Sequence, residues 1–152
     1  MDKRFVVRAV RQRDLERILE IEAASFGPDA YDRNLFAEYT HRCGGLFLVA
    51  ERSTKVCAYS IAAISPGRIG NRAELVSMAV APAFRGKGAA SALMDSTLRR
   101  LGRRGVTRLG LMVKVTNQRA RAFYAKYGFR RLRRVAGYYE DGADGLSLAK
   151  DL

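Results

Sequence analysis

The chain has 152 residues, with 28 Lys and Arg against 15 Asp and Glu, so its formal net charge is +13. This length predicts one domain spanning residues 1–152, and a hydrophobic share of 48% excludes a chain that is disordered throughout. No apolar run approaches the roughly 20 residues of a membrane helix, and residues 1–10 lack the apolar stretch of a signal peptide. Two cysteines without a CxxC motif exclude a disulfide framework and a zinc site. We therefore expect a soluble cytoplasmic domain with reduced thiols, no membrane partner and no metal.

The predicted elements follow the order β-α-α-β-β-β-α-β-α-β-β. Strands are predicted over residues 5–10, 46–51, 56–64, 73–80, 109–115, 129–135 and 146–149. Helices are predicted over 14–22 and 33–42, from the Gly-rich turn to Gly105, and from Asn117 to Gly128. This order indicates an α/β fold, in which a mixed sheet carries helices on both sides.

A Gly-rich turn, Arg85-Gly86-Lys87-Gly88, joins the fourth predicted strand to the third helix. Unpaired backbone N–H groups and the helix dipole at such a helix start form a phosphate site, to which Arg85 and Lys87 add charge. The turn matches neither the GK[ST] ending of a nucleotide P-loop nor the GxGxxG of a Rossmann fold. The alternative is a tight strand–helix connection that holds no ligand.

The positive charge is concentrated in the second half of the chain. Residues 76–152 carry 16 Lys and Arg against 5 Asp and Glu, whereas residues 1–75 carry 12 against 10. Such a field attracts the phosphates of a cofactor, RNA or an acidic protein surface. The alternative is that Arg-rich helix faces only keep the protein soluble.

Three stretches together resemble the GNAT N-acetyltransferases. The run from Glu74 to Leu93, ELVSMAVAPAFRGKGAASAL, resembles the acetyl-CoA-binding motif of the family, and Arg85, Gly88 and Ala90 match its R/Q-x-x-G-x-G/A signature. The run NQRARAFYAKYGF from Asn117 resembles the next motif, N-x-x-A-x-x-x-Y-x-x-x-G-F, and the run GYYEDGAD resembles the ending of RimI-type and archaeal protein N-terminal acetyltransferases. The resemblance implies one GNAT-like domain with a central, mixed, mostly antiparallel sheet.

The resemblance also implies acetyl-CoA as cosubstrate, without a metal. Pantetheine is expected to pair with the backbone of Met78, Ala79 and Val80, and Asn117 is expected to hold the pantetheine arm or to act only as a helix cap. The residues expected around the phosphates are Arg85, Gly86, Lys87, Gly88, Ala89, Ala90 and Ser91.

Two residues are catalytic candidates. Tyr124 stands where the family commonly places the general acid for the coenzyme A thiolate, although a packed aromatic ring is the alternative. Glu74 is the candidate base, acting through water, and alternation along a strand predicts that it shares a face with Met78. A salt-bridged strand Glu is the alternative for Glu74. RimI-type relatives usually carry a Glu where this chain has Met112, which puts the usual base in doubt.

The acceptor side of the site is predicted from aromatic residues. Tyr31, before the second helix, and Tyr138 and Tyr139, in the final hairpin, are expected to line a peptide site, or else only to pack. We expect direct acetyl transfer to a protein or peptide N-terminal amine, for which a ribosomal protein is a candidate. A lysine or small-molecule amine is a second acceptor class, and a non-catalytic module that docks on ribosomes or nucleic acid is a different class of function.

Overall fold

The structure is a computed structural model, and it describes residues 4–66 and 71–152. Within these residues, seven strands form one sheet: β1 (Val6–Ala9), β2 (Phe47–Arg52), β3 (Lys55–Pro66), β4 (Asn71–Val80), β5 (Val106–Lys114), β6 (Arg130–Val135) and β7 (Gly145–Asp151). The α-helices are α1 (Leu15–Phe26), α2 (Arg33–Arg42), α3 (Ala89–Arg103) and α4 (Gln118–Lys126). In the described part of the chain, every helix is too short or too polar to cross a bilayer.

The strands lie in the order β1-β2-β3-β4-β5-β7-β6. All neighbouring strands are antiparallel except β4 and β5, which are parallel and are connected through α3. The predicted order of elements and the mixed, mostly antiparallel sheet are therefore confirmed.

Helices cover both faces of the sheet. Phe47 of β2 and Tyr59 of β3 pack their rings against Phe36 of α2 on one face, while Leu48, the next residue of β2, clusters with Leu93 of α3 on the other. The residues of β2 from Phe47 to Ala50 are all 0% exposed. A strand that is buried on both faces has a continuous apolar sequence. For this reason β2 could be predicted although its apolar and polar residues do not alternate.

Helix α1 starts where the sequence indicates, and the residue at its start, Asp14, makes contacts outside the helix. Asp14 occupies the N-cap position without capping α1 by its side chain. Its carboxylate instead accepts hydrogen bonds from the guanidinium of Arg8, at 2.8 and 3.0 Å, and from the backbone N–H of Arg11, at 2.7 Å. Asp14 therefore joins β1 to the start of α1.

The strands β4 and β5 separate after a short paired segment. Their register runs only from Asn71 opposite Val106 to Glu74 opposite Gly110. Beyond Glu74, β4 continues to Val80 paired with β3 on one edge, and no described strand pairs with its other edge. On that edge, Nε of Arg85 donates a hydrogen bond to the carbonyl of Val80 at 3.3 Å. The sheet therefore opens into a V, and an unpaired backbone edge of β4 lines the opening.

Candidate active site

Two cavities meet beside the open edge of β4. The larger, about 1000 Å³, lies between β4, α3 and α4. The smaller, about 180 Å³, lies between β4, β5, the segment joining α1 to α2 and the connection between β6 and β7. The residues that line both are Phe26, Met78, Asn117, Ala120 and Tyr124. Because the cavities share these residues, ligands in the two cavities can come into contact there.

The larger cavity brings together nearly all residues expected to hold the coenzyme. Those that line it are Met78, Ala79, Val80, Arg85, Gly86, Gly88, Ala89, Ala90, Ser91 and Asn117. Lys87 does not line it, and its ammonium lies 5.9 Å from the centre of the Phe84 ring. Arg119 and Lys126 of α4 also line the cavity and add positive charge. These two residues were not predicted, although the sequence of α4 is basic.

The Gly-rich turn has the conformation that a phosphate site requires. Gly86 and Gly88 have φ values of 75° and 96°, which side chains disfavour, and a Cβ at either would meet no atom within 4 Å. Gly88 is the N-cap of α3 and offers no side chain to its first turn. The first N–H groups of α3 are therefore left to bind an anion. Together with the cavity volume and the free edge of β4, this geometry fits acetyl-CoA.

Tyr124 lies at the junction of the two cavities. It is 9% exposed, its ring packs against Phe129 at 5.5 Å between centroids, and burial raises its pKa to about 12. Within the described residues its hydroxyl has no hydrogen-bond partner. The ring is thus a packed aromatic, while the protonated hydroxyl remains able to donate to a ligand.

Asn117 caps α4 and also lines both cavities. Its Oδ1 accepts a hydrogen bond from the backbone N–H of Ala120 at 3.1 Å and so caps α4. Its side-chain NH₂ has no acceptor among the described residues. Since Asn117 lines both cavities, that donor is available to a ligand at their junction.

Glu74 lines the smaller cavity, but it does not share a face with Met78. A β-bulge places one extra residue, Val76, in β4, so Glu74 pairs with Ala63 whereas Met78 pairs with Ser60. Side chains three positions apart on β3 point to opposite faces, and Glu74 and Met78 therefore do so too. Glu74 lies on the face of α1 and α2 and is exposed. Among the described residues it makes no ion pair.

Aromatic side chains line the smaller cavity, as expected. Tyr31, Tyr138 and Tyr139 all line it, together with Met112. Tyr31 and Tyr138 are 39% and 50% exposed, and burial raises the pKa of Tyr139 to about 12. A Cβ on Gly145 would lie 2.8 Å from Cε of Met112, so this wall is closely packed.

A charged cluster at the mouth of the smaller cavity was missed by the sequence analysis. Nζ of Lys114 lies 2.6 Å from Oδ2 of Asp29 and 2.8 Å from Oδ2 of Asp141. The hydrogen bonds that Lys114 donates to Asp141 and Asp29 raise the pKa of Lys114, and the one to Asp141 lowers the pKa of that carboxyl. No sequence pattern connects these residues, because the contacts span 85 and 27 positions.

Glu22 is a further residue of the smaller cavity that was not predicted, and here the sequence does carry a signal. Leu15, Ile18 and Glu22 recur at helical spacing, which puts a carboxylate on the buried stripe of α1. Glu22 is 1% exposed, and burial raises its pKa. Of the described residues, no group of three His, Cys, Asp or Glu side chains is placed to hold a metal ion.

Comparisons with known proteins agree with this geometry. Residues 12–129 match the acetyltransferase (GNAT) family. An N-alpha-acetyltransferase of Saccharolobus solfataricus is 28% identical over 97% of this chain and 93% of that protein. A putative ribosomal protein bS18-alanine N-acetyltransferase of Bacillus subtilis is 27% identical over 96% of this chain and 95% of that protein. Ard1 from Thermoplasma volcanium has the same fold, with a TM-score of 0.90 at 24% identity over 97% of each chain.

The family match spans both motifs that the sequence analysis singled out, and the structure places those motifs around the larger cavity. The resemblance deduced from the sequence is confirmed. The chain belongs to the GNAT family and is an acetyl-CoA-dependent N-acetyltransferase.

Proposed function

We propose that this protein, as one domain over residues 1–152, transfers an acetyl group directly to the α-amine of a protein N-terminus. The observation that carries the proposal is the junction of the two cavities at Tyr124 and Met78. It gives the acyl donor and the acceptor separate cavities and one meeting point. The matched relatives in Saccharolobus and Bacillus, named for N-alpha and ribosomal-protein acetylation, support an α-amine acceptor. A ribosomal acceptor would place the reaction in the cytoplasm.

The proposed chemistry uses residues of both cavities. Acetyl-CoA supplies a thioester, whose C–S bond breaks as the amine nitrogen bonds to the acetyl carbon. Glu74 takes a proton from the acceptor amine through water, because an alkyl ammonium is not a nucleophile. Tyr124 gives a proton to the departing sulfur, and its raised pKa keeps that proton in place at neutral pH. A backbone N–H on the free edge of β4 stabilises the oxyanion.

The acceptor class is tested with two peptides of one sequence. One carries a free N-terminal amine and no lysine, and the other has a blocked N-terminus and a single lysine. We expect acetylation of the first only, measured as kcat/KM and located by mass spectrometry. Equal acetylation of the blocked peptide would instead identify a lysine acetyltransferase, the alternative that Met112 keeps open.

We further propose that the basic C-terminal half contacts RNA through β6, the edge strand of the sheet. Arg130 and Arg134 pair with Asp151 and Asp144, whereas Arg131 and Arg133 are exposed and make no ion pair with a described residue. The centre of a protein–protein interface is usually apolar, whereas binding to the phosphates of RNA depends mainly on positive charge. The strand offers one exposed apolar side chain, Leu132.

The RNA proposal is tested by comparing variants that lose the same charge. Arg131→Gln with Arg133→Gln should weaken binding of a single-stranded RNA and lower the log–log salt slope by roughly one or more. Arg99→Gln with Arg103→Gln, on α3, is the control. If both pairs weaken binding equally, the attraction reflects net charge alone and the proposal is wrong.

A further inference from the structure

We infer that Glu22 is a positioning residue for the acceptor, because its buried carboxylate holds the segment between α1 and α2 over the smaller cavity. The inference rests on the proposed function, in which that cavity receives the acceptor. Glu22 is not placed among the catalytic candidates, and none of its contacts involves Tyr124 or Glu74.

The two oxygens of Glu22 bind different parts of the molecule. Oε2 accepts a hydrogen bond from the backbone N–H of Tyr31 at 2.9 Å. Oε1 accepts hydrogen bonds from the hydroxyl of Tyr59 on β3 and from that of Ser77 on β4, the latter at 3.3 Å. The hydroxyls of Tyr59 and Ser77 are themselves 3.0 Å apart. The carboxylate thus joins the α1–α2 segment to the middle of the sheet.

The attachment on the sheet is close to the acyl donor. Ser77 directly precedes Met78, which lines both cavities, and the backbone of this part of β4 is unpaired on the side of the opening. Tyr31, at the other end, lines the acceptor cavity. Glu22 therefore sets the distance between the segment that covers the acceptor and the strand beside the thioester.

A carboxylate is a costly choice for packing alone. Glu22 is 1% exposed, and no Lys, Arg or His among the described residues forms an ion pair with it. Burying a charge without a cation is unfavourable unless several donors surround it. Three hydrogen-bond donors converge on the carboxylate of Glu22. An ionised carboxylate can only accept hydrogen bonds, so each donor helps to stabilise its charge. An apolar side chain would fill the space without this cost but would leave the N–H of Tyr31 unpaired.

The first experiment measures the KM values of both substrates for Glu22→Ala. We expect the KM of the peptide to rise roughly tenfold or more, as for a lost hydrogen bond to a charged group, while the KM of acetyl-CoA stays within about twofold. Glu20→Ala is the control, since Glu20 lies on the same helix and pairs with Arg17 at the surface. A parental peptide KM in Glu22→Ala, or an equal rise of both KM values, would overturn the inference.

The second experiment isolates the Tyr31 N–H. Tyr31→Ala removes the ring and keeps the N–H, whereas Tyr31→Pro removes both. If Glu22 acts through that N–H, the peptide KM of Tyr31→Pro should exceed that of Tyr31→Ala. Adding Glu22→Ala should then raise the peptide KM further in the Tyr31→Ala variant but not in the Tyr31→Pro variant. Equal KM values for the two Tyr31 variants refute the inference, even if Glu22→Ala does not fold.

Hydrogen exchange separates this inference from the proposed function. Glu22→Ala should increase amide exchange in residues 27–33, whether or not any peptide is acetylated. A parent protein that acetylates no peptide refutes the proposed function. Unchanged exchange in these residues refutes the positioning role of Glu22 alone.

Discussion

Lys114 at the end of β5 and Asp29 between α1 and α2 lie 85 positions apart in the sequence, yet their charged atoms are 2.6 Å apart. Lys114 also contacts Asp141 in the connection between β6 and β7. It therefore joins the two segments that flank the smaller cavity. Because all three side chains are partly exposed, the cluster orders these segments without strongly stabilising the fold.

Replacing Lys114 should affect the acceptor and spare the coenzyme. We expect Lys114→Met to raise the KM of the peptide, with little change in Tm and in the KM of acetyl-CoA. Salt weakens ion pairs such as those of Lys114 by screening their charges. High NaCl should therefore raise the peptide KM of the parent, and it should raise the peptide KM of Lys114→Met less, because the variant has no such pairs to lose. Lys55→Met, at the first residue of β3, is the control. An identical salt dependence in Lys114→Met and the parent would contradict this role.

Removing the hydroxyl of Tyr124 should slow turnover without weakening coenzyme binding. Tyr124→Phe keeps the ring packed against Phe129, so the Kd of acetyl-CoA should not change. The kcat should fall by roughly 10²-fold, the low end for general acid catalysis, because a thiolate is a good leaving group. A parental kcat would show that solvent protonates the thiolate and that Tyr124 only packs.

The raised pKa of Tyr124 predicts the shape of the pH profile. A phenol donates only while protonated, and a pKa of about 12 keeps it protonated through pH 10. The kcat of the parent should therefore not decline between pH 8 and pH 10 through loss of this acid. A decline with a midpoint near 10 that is absent in Tyr124→Phe would show that the hydroxyl titrates like a solvent-exposed tyrosine.

Glu74→Gln tests the proposed base. The amide keeps the shape of the side chain but takes up no proton, so kcat/KM should fall at neutral pH. It should recover as pH rises, since the fraction of neutral acceptor amine grows without the enzyme. The measurement is kcat/KM against pH with one peptide. Parental values from pH 6 to pH 9 would exclude Glu74 as the base.

Acetyl-CoA should stabilise the folded protein. At about 100 times its Kd, a ligand that binds only the native state adds about 2.7 kcal/mol, seen as a higher Tm. Gly88→Glu should abolish this shift, because it places a carboxylate at the helix start that we expect to face the phosphates of the coenzyme.

Gly105→Glu is the matched control for Gly88→Glu. Gly105, like Gly88, has a positive φ, of 75°. A Cβ at Gly105 would also meet no atom within 4 Å. Gly105→Glu therefore also places a side chain at a positive φ, and it adds the same new charge outside the coenzyme cavity. The control should have a lower Tm but keep the shift with acetyl-CoA. Loss of the shift in both variants would show that strain, and not phosphate repulsion, is responsible.

Local signals account for what could be predicted from the sequence. Apolar runs and helical spacing predicted the order of elements, and Gly88 and Asn117 mark helix starts because turn and cap conformations favour those residue types. The relative orientation of Glu74 and Met78 was predicted wrongly, because a bulge at Val76 shifts the alternation and leaves no local mark. The Lys114 cluster depends on contacts between distant segments, which spacing alone does not encode.

The opening between β4 and β5 has a consequence for association with other proteins. The free edge from Leu75 to Val80 lies inside the sheet, with β5 facing it across the V. Exposed edges at the rim of a sheet recruit strands from other chains and promote aggregation. An edge recessed in this way can pair with a single extended chain, such as a pantetheine arm, whereas β5 stands beyond the opening where further strands of a neighbouring sheet would have to lie. The protein thus keeps backbone groups of β4 that no strand pairs with ready for its substrate, while shielding them from other copies of itself.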